Sequence, residues 1–298
     1  EELSETIIIT LSLPILDVAL GTNTIYTYTI TDNDNFGYLG PGGVGQTANN
    51  KLWVKSNDLT IVADGTDITA WADASGNSND LSQTDNSFTP RYFANILNGQ
   101  PVVRFNQSNG RLIHNSFNDF PTSAITTIFV NSNNDSGDGI VSYASSSALN
   151  NDYLLFNSSN LSLYRGTDIG TGTAINGNTF RIIGNTWQGS DGATRFYRNG
   201  TQTFTGTHAS GTQITAGGNL AIAGEQDAVN GAYQATQSHQ GDFTEVIMYN
   251  VVLNSARRKI VDNYLSAKYS IAIANDMFAY DVPGSYEHEV AGIGRDDA

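Results

Sequence analysis

The chain has 298 residues and no cysteine, and acidic residues outnumber basic ones 29 to 14, for a net charge of −15. The absence of cysteine excludes disulfides, thiolate metal sites and cysteine nucleophiles. The negative charge would repel a phosphate backbone, so no nucleic-acid partner is predicted. No apolar run is long enough to span a bilayer, so no membrane insertion is predicted either.

Two short strands are predicted at the start of the chain, over residues 6–13 and 23–31, because both segments are β-branched and the second alternates in polarity. Two strands bury too little surface to be stable alone. We therefore expect further strands, from neighbouring sequence or from another chain, to complete them. The glycine-rich stretch 37–50 is interpreted as an interdomain linker.

The main body of the chain is predicted to be an all-β jelly-roll sandwich. Strand candidates separated by turn residues follow one another closely from residue 51 to residue 249. The clearest hairpin turns at Asn199-Gly200, a dipeptide that supplies the two positive φ angles of a type I′ turn.

A single short C-terminal helix is predicted over residues 255–269. Asn254 or Ser255 is the candidate N-cap. The residues spaced along one face are Ala256, Ile260, Tyr264, Leu265 and Lys268.

The beginning of the chain resembles the C-terminal part of a Calx-beta domain, an Ig-like sandwich. The resemblance rests on ELSETIIITLS at 2–12, LGTN at 20–23 and YTITDND at 28–34. In that family, acidic residues before and after the last strands bind calcium. The resemblance therefore implies calcium ligands at Glu2, Glu5, Asp32 and Asp34, although Asn33 departs from the family's acidic triplet.

Most of the remaining chain resembles a LamG or concanavalin A-like domain of the laminin-G type. The resemblance implies four regions: the end of a Calx-beta domain at 1–36, a linker at 37–50, the LamG-like domain at 51–275 and a connector at 276–298. It is carried by LWVK at 52–55, AWADASGNSNDL at 70–81, LNGQPVVRF at 97–105, EVIMY at 245–249 and YLSAKY at 264–269.

Together with the tail HEVAGIGRDD at 288–297, these segments are similar to large surface adhesins of gliding or marine Bacteroidetes. The resemblance implies a secreted or cell-surface protein.

A calcium loop is predicted at residues 73–80, where carboxylates and amides surround Gly76. The candidate ligands are Asp73, Asn77, Asn79 and Asp80. The alternative is an Asx-rich turn that satisfies its own backbone. Calcium is the expected cofactor because oxygen-rich loops suit hard cations.

Sugar binding would require aromatic rings that can stack on a pyranose. The candidates are Tyr143, Tyr153, Tyr164 and Tyr233. All but Tyr233 fall in predicted strands, where half the positions face the core, so a structural role is the alternative for each.

No catalytic constellation is complete, and the chain is predicted not to be an enzyme. Glu225-Gln226-Asp227 begins like the Glu-x-Asp-x-Glu strand of a retaining glycosidase, but Val229 or Asn230 stands where the second glutamate belongs. The predicted function is calcium-stabilised adhesion or binding of a polysaccharide. A structural spacer in a surface stalk and an accessory domain of a polysaccharide-degrading enzyme remain as alternatives.

Overall fold

The computed structural model describes residues 5–10, 22, 24–30, 40–61, 63–134, 138–274 and 276–277. The chain divides into two compact units, Glu1–Gly37 and Tyr38–Ala298. No helix of the described residues is both long enough and apolar enough to cross a membrane.

The first unit contains two antiparallel strands, β1 (Glu5–Thr10) and β2 (Ile25–Ile30). Ile8 and Ile9 are 62% and 53% exposed, and Ile25 and Tyr26 are each 63% exposed. Because successive side chains of a strand point to opposite faces, both faces of this pair carry exposed apolar groups. The two strands predicted from the sequence are present.

The second unit is a sandwich of two antiparallel sheets. The front sheet has the strand order β13-β12-β11-β10-β17-β8-β5-β4, and the back sheet has the order β16-β15-β14-β9-β18-β7-β6, with β3 paired to β18. The strands of the front sheet are β4 (Ala70–Trp71), β5 (Leu81–Ser82), β8 (Leu112–Phe117), β10 (Asp138–Ala144), β11 (Tyr153–Asn157), β12 (Leu161–Arg165), β13 (Thr167–Gly170) and β17 (Gly218–Ile222). Those of the back sheet are β3 (Asn50–Lys55), β6 (Arg91–Leu97), β7 (Gln100–Phe105), β9 (Ala124–Asn131), β14 (Arg181–Gln188), β15 (Ala193–Arg198), β16 (Thr201–Thr207) and β18 (Gly241–Tyr249).

The main core lies between the two sheets, where apolar side chains from alternate strand positions meet. Trp71 and Trp187 are fully buried in it. The predicted Asn199-Gly200 turn joins β15 to β16, with φ values of 48° and 76°. The prediction of an all-β jelly-roll sandwich with one short C-terminal helix is confirmed.

Helix α1 (Ser255–Tyr269) packs on the outer face of the back sheet and forms a second core there. The Asn254 side chain caps it by accepting from the Arg257 backbone N–H at 2.9 Å. The buried stripe consists of Val261, Leu265 and Tyr269, spaced four residues apart. Of the residues that the sequence placed along one face, Leu265 is buried, whereas Ile260 is 38% exposed and was wrongly included.

Residues 40–50 fall within the second unit, and Val44 belongs to its second core. Val44 is 1% exposed and accepts from the Tyr249 hydroxyl at 3.2 Å. A Cβ on Gly45 would lie 2.8 Å from the Tyr249 ring. The prediction of a linker is therefore wrong for this stretch, because its glycines allow close packing rather than freedom.

A buried glutamate joins helix, sheet and β3. Glu245 is 0% exposed. Its Oε1 accepts from the Trp53 indole N–H at 2.6 Å, and its Oε2 accepts from Lys268 at 2.8 Å and from the Tyr269 hydroxyl at 2.8 Å. The charge is therefore compensated by an ammonium and two neutral donors.

Candidate functional site

The outer face of the front sheet is partly covered by the segment 223–240, which connects β17 to β18. In this segment Gln226 is fully buried and holds the sheet by donating from its amide to Ser142 O at 3.0 Å and to Asn219 O at 2.9 Å. The segment is therefore fixed over β10 and β17.

Glu225 lies beside β10 and β11 on that outer face. A Cβ added to Gly139 would come within 2.5 Å of Glu225 Cβ, so the glutamate occupies the space above this glycine. Gly139 pairs with Phe156 across the β10–β11 ladder. Residues paired directly in an antiparallel ladder share a face, so Glu225 and Phe156 are neighbours.

The carboxylate of Glu225 is buried and only partly satisfied. The residue is 2% exposed, and its Oε2 is buried without a hydrogen-bond partner. Burial, reinforced by the like charge of Asp227, raises the pKa of Glu225 to about 7. A buried charge without a counter-charge destabilises a fold, so this carboxyl is stable either as the neutral acid or beside a cation.

Further oxygens surround Glu225. Ser238 forms β-bridges with both Gly139 and Gly224, which places Gln237 next to Glu225. The Oε1 of Gln237 is buried and has no hydrogen-bond partner.

The loop before β11 closes the same site. Asn150 donates from its side chain to Asp227 O at 3.1 Å. One atom of the Asn151 side-chain amide lies 3.1 Å from Glu225 Oε1 and 3.3 Å from Asn150 O. If this atom is the amide nitrogen, it donates a hydrogen bond to both oxygens. If it is the amide oxygen, three oxygens face one another, and a cation among them would stabilise the arrangement.

These residues fit calcium by the chemistry of their donors. Glu225 Oε2 and Gln237 Oε1 are free oxygens, and Asp227 adds a carboxylate whose Oδ2 already accepts from Gln234 at 2.6 Å. Carboxylate and amide oxygens are the ligands that calcium prefers. In the described part of the chain, no group of three or more His, Asp or Glu side chains could hold a metal. We call Glu225, Asp227, Gln237, Asn150 and Asn151 the Glu225 site.

An aromatic patch adjoins the Glu225 site. Tyr153, Leu155, Leu161 and Leu163 belong to the core, so the alternate residues of β11 and β12 face outward. Among these, Phe156 and Tyr164 are partly exposed, and their rings meet edge to face at a centroid distance of 5.9 Å. The predicted ligand residue Tyr164 is thus on the same face as Glu225.

Tyr233 lies on the other side of the Glu225 site, within the segment 223–240. Its ring covers the guanidinium of Arg111 at 3.8 Å. Burial raises the pKa of Tyr233 to about 12, so the hydroxyl stays protonated. It is partly exposed, as its predicted role requires.

Two other predicted stacking residues are in the core. Tyr143 and Tyr153 are both 0% exposed. Tyr143 donates to Thr215 O at 2.8 Å and lies parallel to Phe120 at 3.6 Å, and Tyr153 donates to Asn185 Oδ1 at 2.8 Å. Neither ring has a face free for a sugar, so the prediction was wrong for these two.

The predicted calcium loop at residues 73–80 is an Asx-rich turn. Asp73 Oδ1 accepts from the Trp53 and Ser75 backbone N–H groups, each at 2.8 Å. Its Oδ2 accepts from the Ser75 hydroxyl at 2.6 Å and from the Asn79 N–H at 3.0 Å. Four donors occupy about four lone-pair positions, so Asp73 has none left for a metal.

The other predicted ligands of this loop are also engaged. Asp80 Oδ1 accepts from the Asp73 N–H at 2.7 Å, Asn77 donates to Asn50 O at 2.6 Å, and Asn79 donates to Lys51 O at 2.8 Å. The loop folds around its own backbone, so Asp73 was wrongly assigned as a calcium ligand. For Asn77, Asn79 and Asp80, whose bonds use the amide nitrogens and one carboxylate oxygen, calcium binding stays a prediction.

The remaining predicted ligands cannot be placed. Glu2, Asp32 and Asp34 lie outside the described residues, and of Glu5 only the backbone, in β1, is described.

The sequence contains one clue to the Glu225 site, the segment Glu225-Gln226-Asp227, which resembles a glycosidase motif without its second acid. Its partners Asn150, Asn151 and Gln237 come from other segments, and only the fold brings them together.

The two packed antiparallel sheets with one C-terminal helix form a concanavalin-like jelly-roll fold. The family model that matches, over residues 107–285, is that of the Pentaxin family. This match spans more than half of the chain and includes the whole Glu225 site, and the chain belongs to that family. Calcium binding is general among pentraxins. A comparison with curated protein sequences gives no significant match.

Solved structures of similar fold include a SAP-like pentraxin from Limulus polyphemus, at 22% identity and a TM-score of 0.43 over 48% of this chain and 71% of that one. Domain 4 of AbnA, an extracellular GH43 arabinanase from Geobacillus stearothermophilus, solved with arabinotriose, has 12% identity and a TM-score of 0.52 over 72% of this chain and 98% of that domain. An arabinofuranosidase complexed with arabinofuranosyl-alpha-1,2-xylobiose has 15% identity and a TM-score of 0.52 over 70% of this chain. The chain spans 52% of that enzyme's length. At these identities the likeness concerns the fold alone.

Proposed function

We propose that the chain is a non-catalytic, calcium-dependent carbohydrate-binding module with its binding site on the outer face of the front sheet. The observation that carries this proposal is the buried Oε2 of Glu225, which has no protein partner and stands near a second carboxylate, that of Asp227. Such a pair is stable only when protonated or bound to a cation.

In the proposed site, Glu225, Asp227, Gln237 and the amides of Asn150 and Asn151 hold the calcium ion. The bound ion supplies a fixed positive charge for sugar hydroxyls or carboxylates. Phe156 and Tyr164 provide apolar surface for the sugar ring. The Asn150 hydrogen bond to Asp227 O keeps the two loops together.

The Glu225 site also bears on the alternatives. A structural spacer has no use for a buried, uncompensated carboxylate, which lowers stability without a ligand. An accessory domain of a polysaccharide-degrading enzyme would use the same site, and the arabinose-containing ligands of the two enzyme structures serve as probes. The single glutamate of the Glu225-Gln226-Asp227 segment favours cation binding over glycoside hydrolysis.

The test is a polysaccharide panel, including arabinotriose, screened with the full chain in calcium and again in chelator. We compare the wild type with Glu225→Gln, and Asp58→Asn is the control, because Asp58 follows β3 of the back sheet, where it pairs with Lys55 and accepts from Asn57. Calcium-dependent binding that Glu225→Gln abolishes and Asp58→Asn retains supports the proposal. Binding that is equal in chelator, or no binding at all by a folded protein, contradicts it.

We also propose an extracellular or cell-surface location within a larger adhesin, with residues 1–36 as the end of a Calx-beta domain. The apolar groups exposed on both faces of the β1–β2 pair support completion by further strands. Proteinase digestion of intact producing cells tests the location, since a surface protein is degraded and an internal one is protected.

A further inference from the structure

The loop that joins β10 to β11 carries Asn150 and Asn151 of the Glu225 site. This loop folds back on itself, because the Ser145 N–H donates to Leu149 O at 3.1 Å and the Leu149 N–H donates to Ser146 O at 3.1 Å. Neither bond involves the two asparagines. Their attachment to the sandwich lies at the end of the loop, at the residue that follows Asn151.

That residue is Asp152, and its carboxylate fastens both ends of the loop. Asp152 is 4% exposed. Its Oδ2 accepts from the Ser145 hydroxyl at 2.7 Å and from the Thr215 N–H at 2.9 Å. Ser145 is the first residue after β10, Asp152 is the last before β11, and Thr215 belongs to the segment before β17. One side chain therefore closes the loop and ties it to a neighbouring segment.

Arg165, the last residue of β12, holds Asp152 by its side chain and by its main chain. Its Nη2 donates to Asp152 Oδ1 at 3.2 Å, and its Nε donates to Asp152 O at 2.7 Å. Nη2 also donates to Gln213 O at 3.0 Å. The guanidinium stacks on the ring of Trp187 at 4.0 Å, and Trp187 is fully buried in the main core. Asp152 is thus anchored to the core one residue away from Asn151.

The stability of the fold does not by itself account for this ion pair. Both side chains are 4% exposed, and removing two charges from water costs about as much free energy as their attraction supplies. In addition, Nη1 of Arg165 is buried without an acceptor, which lowers stability further. An apolar pair of similar volume would pack about as well. It would not provide the directed hydrogen bonds that fix the loop.

We propose that Asp152, held by Arg165, is a positioning residue for calcium, which keeps the side chains of Asn150 and Asn151 turned toward Glu225. The inference rests on the proposed function. Asn150 donates to Asp227 O at 3.1 Å, so the two asparagines are held between that bond on one side and Asp152 on the other. Groups that orient metal ligands without touching the metal change its affinity by about 10- to 100-fold.

The experiment is isothermal titration of the full chain with calcium, for the wild type and Asp152→Asn, together with urea unfolding of each protein. Asparagine keeps the shape of the side chain but replaces one acceptor oxygen with a donor. The control is Asp262→Asn. Asp262 is also 4% exposed and pairs with Arg258 at 3.2 Å, and this arginine stacks on the Tyr197 ring at 3.7 Å. The second ion pair belongs to α1, on the outer face of the other sheet.

We expect Asp152→Asn to raise the calcium Kd about tenfold and Asp262→Asn to leave it unchanged. A loss of stability alone does not change the Kd while nearly all of the protein stays folded, so a purely structural role for Asp152 would leave the Kd at the wild-type value. Ser145→Ala removes one hydrogen bond to Asp152 and should raise the Kd about threefold. Ser145→Thr keeps the hydroxyl and should retain the wild-type Kd.

An unchanged calcium Kd in folded Asp152→Asn overturns the positioning role. If Asp152→Asn does not fold, an unchanged Kd in Ser145→Ala overturns it. An equal rise of the Kd in Asp262→Asn overturns it as well. In each of these cases the wild type still binds calcium and the proposed function stands. Absence of calcium binding by the folded wild type overturns the proposed function and the positioning role with it.

Discussion

Replacing Glu225 with glutamine should stabilise the calcium-free protein. Glutamine has nearly the same shape but no charge, so it removes a buried carboxylate whose pKa is raised to about 7, first by burial and then by Asp227. Compared with an ordinary value near 4.5, this shift corresponds to about 3 kcal/mol as an upper limit, at about 1.4 kcal/mol per pKa unit.

The effect should depend on pH in a defined direction. The folded protein keeps the proton on Glu225 to higher pH than the unfolded chain does, so the free energy of unfolding falls as the pH rises from about 4.5 to about 7. Wild type and Glu225→Gln should therefore be equally stable at pH 4 in chelator and differ most at pH 8. Calcium at 1,000 times its Kd should reverse the order, since it adds about 4.1 kcal/mol to the wild type only.

The assay is urea unfolding followed by tryptophan fluorescence, at pH 4 and pH 8, with calcium and with chelator. Glu245→Gln provides the contrast, because Glu245 is equally buried but accepts from Trp53, Lys268 and Tyr269. Glu225→Gln should stabilise the calcium-free protein and Glu245→Gln should not. A calcium-free Glu225→Gln protein that is less stable than wild type at pH 8 refutes the reasoning.

Three further predictions follow from the contacts. Glu245→Gln should lower the free energy of unfolding by about 3 kcal/mol or more, because Lys268 then lacks its buried counter-charge. The same urea assay measures this loss, and the control Asp58→Asn should change the free energy of unfolding by less than about 1 kcal/mol. Tyr164→Ala should weaken saccharide binding about fivefold, since an aromatic contact contributes about 1 kcal/mol, and should leave the calcium affinity unchanged. An unchanged saccharide affinity would show that the aromatic patch does not contact the sugar. Burial lowers the pKa of His239 to about 3, so folding favours the neutral imidazole, and the free energy of unfolding should fall as the pH drops below about 6.5. In a calcium-free Glu225→Gln background, His239→Phe should make the melting temperature less dependent on pH. An unchanged pH dependence would mean that other groups cause it.

Local patterns in the sequence were enough to predict the architecture. The Asn199-Gly200 turn and the helix over 255–269 each depend on a few adjacent residues, and both are present. The predicted helix face correctly included Leu265 but also Ile260, which is 38% exposed, and it missed Val261 and Tyr269, which the sheet covers.

The site required long-range information. Residues 73–80 have the composition of a calcium loop, but Asp73 spends its lone pairs on backbone N–H groups and on the Ser75 hydroxyl. The sequence around Glu225 has no calcium-loop pattern, and only the pairing of β10 with β11 and β17 brings other oxygens near its carboxylate. Tyr153 likewise faces the core, whereas Tyr164 faces the surface. Alternation along a strand shows that neighbouring residues face opposite sides, but the sheet order is needed to tell which side is the core.

The central claim is that Glu225 and Asp227 bind calcium, and isothermal titration of the full chain with calcium tests it most directly when wild type is compared with Glu225→Gln at pH 8. The account predicts a saturable binding event in the wild type that disappears in Glu225→Gln while the melting temperature of the calcium-free variant stays at or above that of wild type. The same calcium-binding heat in both proteins, or none in a folded wild type, would contradict it.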